Sequence, residues 1–526
     1  MMDEVKYQAR SLAEAVYRYS VLIPERNAIV DKQGPHTFAQ LWEEIAQCAE
    51  VLKELGVKKG DRVVMECSQD ALFLSVNLSC QLLEAIFVGV ERRVARGRLE
   101  DIVRQTEPAL LLTAKAVEQP EDAKEAFYRR NLTVKEFAQL LKKQRENQVS
   151  GQSEMAGSGL PEPCLQSAVK AVEHLDRETV SEILFSTGTT GKTKGAILTN
   201  RANVANAQNI IDGVCMEQDA VELVPLPINH AHGLRTSYAH LLNGSCVLIV
   251  NGITFPRVVF DTMAKYGANA IDLSPSAAQM LMNTSADRLK EISHTIRYVE
   301  VGAAFLPEST KQQLKECFPT SRLYNCYGSS ESGRTCNLEF STDQDMPGCI
   351  GLPVPNAAFA VIGKDGKPIQ SDAEHTGLLA SAGPMNMSGY WREPELSAQT
   401  LKDGYVLTAD LSYIDENGYI YVLGRQDDVI VYKGIKISPE EIEEVAAGCE
   451  MVADCACIPE EDEMAGQVPK LFVVPKDPEA YNEAELFAYL KEHIDDNRMP
   501  RTIERIGEIP RTYNGKILRK KLAART

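Results

Sequence analysis

The sequence has no excess of positive charge. Its 74 Asp and Glu outnumber 56 Lys and Arg, leaving −18 at pH 7. A surface that acidic repels nucleic acid and anionic lipid, which removes both as general partners and leaves room only for a local basic pocket. The 13 cysteines show no metal-ligand spacing: Cys455 and Cys457 are separated by a single residue, too close for a zinc site. Scattered and odd in number, they read as reduced thiols in a cytoplasmic core. The opening MMDEVKYQAR has no apolar signal core. The most apolar long stretch, 71–90, is broken by Asn77, Gln81 and Glu84, so it predicts a buried core helix rather than a membrane span. There is no internal repeat.

What is present is ample core material. At 526 residues, 44% hydrophobic and 25% charged, the chain exceeds what one core supports, so at least two domains are expected. Residues 38–55 repeat Leu41, Ile45, Ala49, Leu52 and Leu55 at helical spacing, with Gly56 placed to end the helix. A short strand follows at 62–65. Helices and apolar strands then alternate to about 420, with strands expected at 245–250, 268–273 and 296–301, a pattern that predicts α/β layers. The polar stretch 142–163 reads as a surface loop or linker. A second change of pattern near Gly424 predicts a large α/β domain of several subdomains over 1–425 and a small α+β domain over 426–526.

Chemistry concentrates in a few segments. Residues 184–195, LFSTGTTGKTKG, run from an apolar strand into a loop of Gly, Thr and Lys that can aim N–H groups, hydroxyls and ammonium groups at phosphate oxygens. Ser186 stands where a Walker A loop needs glycine, so that motif fails. Residues 226–234, LPINHAHGL, would as a strand point His230 and His232 the same way. No further zinc ligand is spaced for them. Near the end, Asn514-Gly515 is a turn that presents Lys516 ahead of Arg519, Lys520 and Lys521.

The loop 184–195 resembles the phosphate-binding signature of the adenylate-forming superfamily, which includes acyl-CoA synthetases, luciferases and peptide-synthetase adenylation domains; Thr193 replaces the usual proline. Other segments resemble that family in its order. These are Gly302-Ala303-Ala304, the NCYGSSE run from Asn325 to Glu331, Thr408-Ala409-Asp410, GRQDD at 424–428, KGIKISPEEIE at 433–443 and YNGKILR at 513–519. The resemblance covers nearly the whole chain and is weakest over 91–180.

The resemblance implies ATP-dependent conversion of a carboxylic acid to an acyl-adenylate with release of pyrophosphate, then transfer to coenzyme A. It implies a mobile small domain hinged at Asp427 that carries the catalytic Lys516. ATP would be held by Ser186, Thr187, Gly188, Thr189, Thr190, Gly191, Lys192 and Lys194, by Gly302, Ala303 and Ala304, and by Asn325, Cys326, Tyr327, Gly328, Ser329 and Ser330. Tyr327 would stack on adenine, Asp410 and Arg425 would bind ribose or phosphate, and Glu331 would hold Mg²⁺. His230 falls on the family's acyl-pocket histidine and joins Lys516 as a catalytic candidate. Lys433 and Gly434 would face the site during transfer to coenzyme A. No acid occurs in 226–237 to pair with a substrate ammonium, and Asp272 is the one acid in 266–282, so an uncharged acyl or aryl acid is expected. The alternatives are a stand-alone enzyme loading a carrier protein and a catalytically dead ATP-binding homologue; retention of both Lys516 and Glu331 argues against the latter. The small domain, followed at once by the chain end, leaves no carrier module and favours coenzyme A. Oligomeric state is left open.

Overall fold

The computed structural model describes residues 2–117, 127–149, 162–187, 193–342, 346–432, 435–462, 464–495, 498–512 and 516–525. Its first long helix, Phe38–Glu54, begins at a reciprocal cap. The Thr37 hydroxyl accepts the Gln40 N–H at 3.2 Å, and the Gln40 side chain accepts the Thr37 N–H at 2.9 Å, which satisfies donors a helix start leaves open. Leu41, Ile45, Ala49 and Leu52 are buried, as their spacing predicts. Gly56 follows the helix at φ +87°. The strand after it is Arg62–Glu66.

Two expectations need correction. The stretch 71–90 is not one helix. It is the helix Ala71–Leu82 followed by the strand Ile86–Val90. Glu84, at φ +50°, makes the turn, and Ile86, Val88 and Val90 have the branched side chains a buried strand favours. The stretch 142–163 is helical at both ends, Val134–Val149 and Glu162–Glu173; residues 150–161 lie outside the described residues. The first of these helices is tied down by Phe137 in the core and by Gln47, whose amide donates to the Leu141 carbonyl at 2.6 Å.

Among the described residues the strands form sheets of fifteen, seven and five. The largest has a parallel centre in which Val221–Val224, Ala270–Leu273, Tyr298–Gly302 and Arg322–Ser329 lie side by side. The second is parallel except at one edge, where the hairpin Val180–Thr187 and Thr193–Thr199 turns back and pairs with Gly389–Tyr390. The smallest comprises strands between 430 and 505 and has its own core around Ile430, Ile442, Leu471 and Leu486. This is the expected architecture: a large α/β domain and a smaller mixed one. Open parallel sheets bind ligands beyond the carboxyl ends of their strands, and the carboxyl ends of the central strands converge on one cavity.

Candidate active site

The cavity is about 270 Å³ and receives residues from distant parts of the chain: Ser186 from the hairpin, His230, His232 and Arg235, Ala303, the run Cys326 to Ser330, and Thr512 and Lys516 from the small domain.

On the nucleotide side, Ser186 closes one strand and Lys194 opens the next. Gly188, Thr189, Thr190, Gly191 and Lys192 lie outside the described residues, as does the side chain of Thr187. Thr193, in place of proline, bonds Asp101 through its hydroxyl. The strand Arg322–Ser329 and its partner Gly333–Glu339 pair closely at Gly328, leaving no space for a side chain there. Glu331 sits in the connection. Its carboxylate accepts the Tyr390 hydroxyl at 2.7 Å, and the Lys194 ammonium lies 6.0 Å over the Tyr390 ring. The Tyr327 hydroxyl donates to Asp410, and Arg425 lies across the strand pair with its Nε 3.6 Å from the same carboxylate. Burial, then Asp410, pushes the Tyr327 phenol well above its usual range. One Asp410 oxygen is therefore already engaged by tyrosine. Asn325 and Cys326 alternate along the strand, and the Cys326 thiol is turned to Glu300 at 3.7 Å.

The acyl side differs from expectation. Residues 225–230 are a turn rather than a strand, and the helix Ala231–Asn243 starts with His230 as its N-cap. The prolines at 225 and 227 lack the N–H groups a ladder needs. Both histidines still line the cavity, but for different ends. His230 Nε2 lies 3.6 Å from Glu91, whose carboxylate also takes Arg98 at 2.7 Å. Burial lowers the pKa of His230, which favours the neutral ring. His232 bonds Asp272 at 2.7 Å and covers Gly302, where any side chain would collide with its ring. Asp272 also accepts the Thr236 hydroxyl at 2.9 Å.

Below them lies a layer of buried acids. Glu300 pairs with Arg334 at 2.6 Å, and Glu222 bonds Tyr298 at 2.9 Å and His240 at 2.7 Å. Burial raises the pKa of both Glu222 and Glu300 and pushes that of His240 down to about 3. His232, Asp272 and Glu300 converge within 4.8 Å. Arg334 and Thr236 already neutralise and bond these acids, so the cluster is a closed polar floor and not an open metal site.

Lys516 is exposed at the cavity mouth. Its N–H donates to the Thr512 hydroxyl at 3.1 Å, and its carbonyl accepts the Thr512 N–H at 2.8 Å; residues 513–515 lie outside the described residues. Desolvation, and next the charge of Arg425, lower its pKa, while Asp410 and Asp428 oppose them. Asp427 lies in the turn between the strands Ile420–Arg425 and Ile430–Tyr432. Lys433 and Gly434 are outside the described residues. Their neighbour Lys436 bonds Thr376, away from the cavity.

Sequence reasoning did not single out Tyr390, Arg235, Glu91 or Arg98. Arg235 donates to the carbonyls of Ser329 and Ser330 at 2.9 and 3.0 Å, holding the run that carries Glu331. No local pattern marks a residue whose partner lies 94 positions away.

Comparison with known proteins adds the following. The AMP-binding enzyme family matches residues 21–391, and the AMP-binding enzyme C-terminal domain matches 441–516. The chain is 27% identical over 496 residues to peroxisomal OPC-8:0-CoA ligase 1 of Arabidopsis thaliana, covering 92% of this chain and 88% of the relative. It is 28% identical over 505 residues to 2-succinylbenzoate–CoA ligase of Bacillus cereus, covering 95% and 96%. The fold matches O-succinylbenzoate coenzyme A synthetase from Bacillus subtilis in complex with ATP and magnesium ion, with TM-score 0.81 and 22% identity over 97% of this chain and 99% of that one.

Proposed function

The chain belongs to the AMP-binding enzyme family and is an AMP-forming acid–thiol ligase, and from that premise we propose how its residues divide the reaction. In the first step a carboxylate oxygen attacks the α-phosphorus of ATP and the bond to pyrophosphate breaks. Lys516 stabilises the negative charge that builds on the transferring group. Ser186, Lys194 and the loop between them bind phosphates, while Tyr327, Asp410 and Arg425 hold the nucleoside. Glu331 would hold Mg²⁺. One of its oxygens rests on the Tyr390 hydroxyl, and the other makes no hydrogen bond among the described residues, which suits a hard cation. That cation would neutralise phosphate charge. His230, kept neutral by burial, orients the acid. In the second step the thiol sulfur of coenzyme A attacks the acyl carbon and AMP leaves. Lys516 must first withdraw, so the domain 426–526 turns about Asp427 and brings the segment from Lys433 and Gly434 to the site. A cytoplasmic address belongs to the same reading, supported by 13 free cysteines, twelve of them buried. Among the described residues no helix is long and apolar enough to cross a membrane.

The observation that carries this reading is the convergence of Ser186, His230, Tyr327, Ser330 and Lys516 on one cavity. The test is a pyrophosphate-release screen over carboxylic acids, with and without coenzyme A. Acid-dependent release, with AMP and a thioester formed only when coenzyme A is added, is expected. Release without any thioester would replace coenzyme A by another acceptor.

A further inference from the structure

The helix Glu308–Cys317 belongs to the large domain, where its Leu314 is buried in the core. It begins without a cap of its own. The N-cap residue is Pro307, whose ring has no oxygen to accept an N–H, and no side chain caps the helix from that position. A helix start leaves its first N–H groups without partners inside the helix. They carry partial positive charge that a carboxylate answers well. Here the carboxylate comes from the other domain: the Ser309 N–H donates to Glu444 Oε1 at 3.1 Å. Burial raises the pKa of the half-buried Glu444, and the N–H groups of Ser309 and Glu308 oppose that rise.

Glu444 is firmly connected to the segment that carries Lys516. It stands on the helix Pro439–Ala447, whose Ile442 and Ala446 are buried in the core of the small domain. From the same helix Glu440 and Glu443 take the Arg519 guanidinium at 2.9 and 2.7 Å, just beyond Lys516 in the chain. One helix thus grips the large domain by Glu444 and the lysine segment by Glu440 and Glu443. The like charge of Glu308 works against Glu444 at this contact, while Lys311 favours it, so the grip is one that can be released.

We propose that Glu444 is a positioning residue for the first half-reaction: by capping the helix Glu308–Cys317 from the opposite domain, it holds Lys516 at the cavity. This rests on reading Lys516 as the group delivered for adenylate formation and withdrawn for thioester formation. Glu444 touches no reacting atom and acts only through Lys516. When the small domain turns, Glu444 leaves, and water can reach the freed N–H because Ser309 is exposed. The cap therefore favours one arrangement of the domains over the other, which shifts their populations without blocking the exchange.

The test uses the full chain with an acid that it activates, and measures each half-reaction in single turnover. Glu444→Ala should slow adenylate formation at saturating ATP by about three- to tenfold. KM for ATP should change little, and thioester formation from supplied acyl-adenylate should be unchanged or faster. Glu444→Gln keeps an oxygen for the Ser309 N–H without the charge and should fall between Glu444→Ala and the unaltered enzyme. Ser309→Pro removes the donor in a first helical turn, where proline is tolerated. It should slow the same step, and the double variant with Glu444→Ala should be no slower than the slower single one. Equal loss of both half-reactions in a folded variant, a loss confined to KM, no loss in the first step, or additive losses in the double variant would overturn the inference and leave the ligase standing. If Lys516→Ala spares adenylate formation, the reading beneath falls and this inference with it.

Discussion

Lys516 lines the cavity from the small domain and Glu331 follows the cavity-lining Ser330 of the large one, and the two are held in opposite ways. Glu331 stands in a connection of the central sheet. Tyr390 bonds its carboxylate, and Arg235 grips the two carbonyls before it. Lys516 is exposed and tied back to Thr512, with Arg511 paired to Ile517 behind it. The helix behind it is anchored by Arg519 to Glu440 and Glu443, all within the small domain. Among the described residues, polar contacts between the domains include Ser309 with Glu444 and Lys436 with Thr376. A group buried in hydrogen bonds from several elements stays where it is. A group fixed only to its own domain moves with that domain. The carboxylate proposed to hold Mg²⁺ is thus part of the frame, and on the same proposal the lysine is delivered and withdrawn as a unit.

Removing the delivered charge tests the contrast most severely. Lys516→Ala should slow acyl-adenylate formation by roughly a hundred- to thousandfold and spare thioester formation from supplied acyl-adenylate; single-turnover assays of each half-reaction read both. Blocking delivery comes next. Asp427→Pro fixes φ near −65° and should slow thioester formation by about tenfold or more while adenylate formation stays near normal. Equal loss of both in a folded variant would show that the turn at 427 is not the hinge.

On the fixed side, Glu331→Gln weakens a ligand for a hard cation and should raise the Mg²⁺ concentration for half-maximal activity by roughly tenfold. Tyr390→Phe removes the hydrogen bond behind that ligand and should act in the same direction, by less. Neither should alter thioester formation from supplied acyl-adenylate.

The smallest effect on turnover belongs to Glu182, behind Arg235. Its pKa in the fold is pushed from 4.5 up to about 7 by burial, so the folded protein holds this proton more tightly than the unfolded chain. The stability it contributes is complete below pH 4.5 and declines as pH rises toward 7, by on the order of 1 kcal/mol per unit. Glu182→Gln should flatten that part of the pH profile of the urea midpoint.

Much was legible before any coordinates. The spacing from Leu41 to Leu52 set a helix, the apolar runs near 246, 270 and 298 set strands of an α/β layer, and Thr408 to Asp410, GRQDD and Lys516 stood in recognisable segments. Local patterns failed where two structures share one composition. The run 71–90 is apolar throughout, and only Glu84 at positive φ and pairing with Arg62–Glu66 divide it into helix and strand. The histidines at 230 and 232 kept a shared cavity but lost their shared direction, because a turn and a helix start replaced the strand.

By itself the sequence determined the chemistry of activation, through ordered segments that resemble the adenylate-forming family, and the order of the two domains, since such segments and helical or strand periodicity are local properties. Only the tertiary structure decided what surrounds that chemistry: Tyr390 behind Glu331, Arg235 beneath the Ser329 and Ser330 carbonyls, and His232 held by Asp272. Those partners are 59, 94 and 40 residues apart. Hydrogen bonds between side chains so far apart leave no periodic trace, because each depends on distance and orientation that exist only once the sheets have assembled.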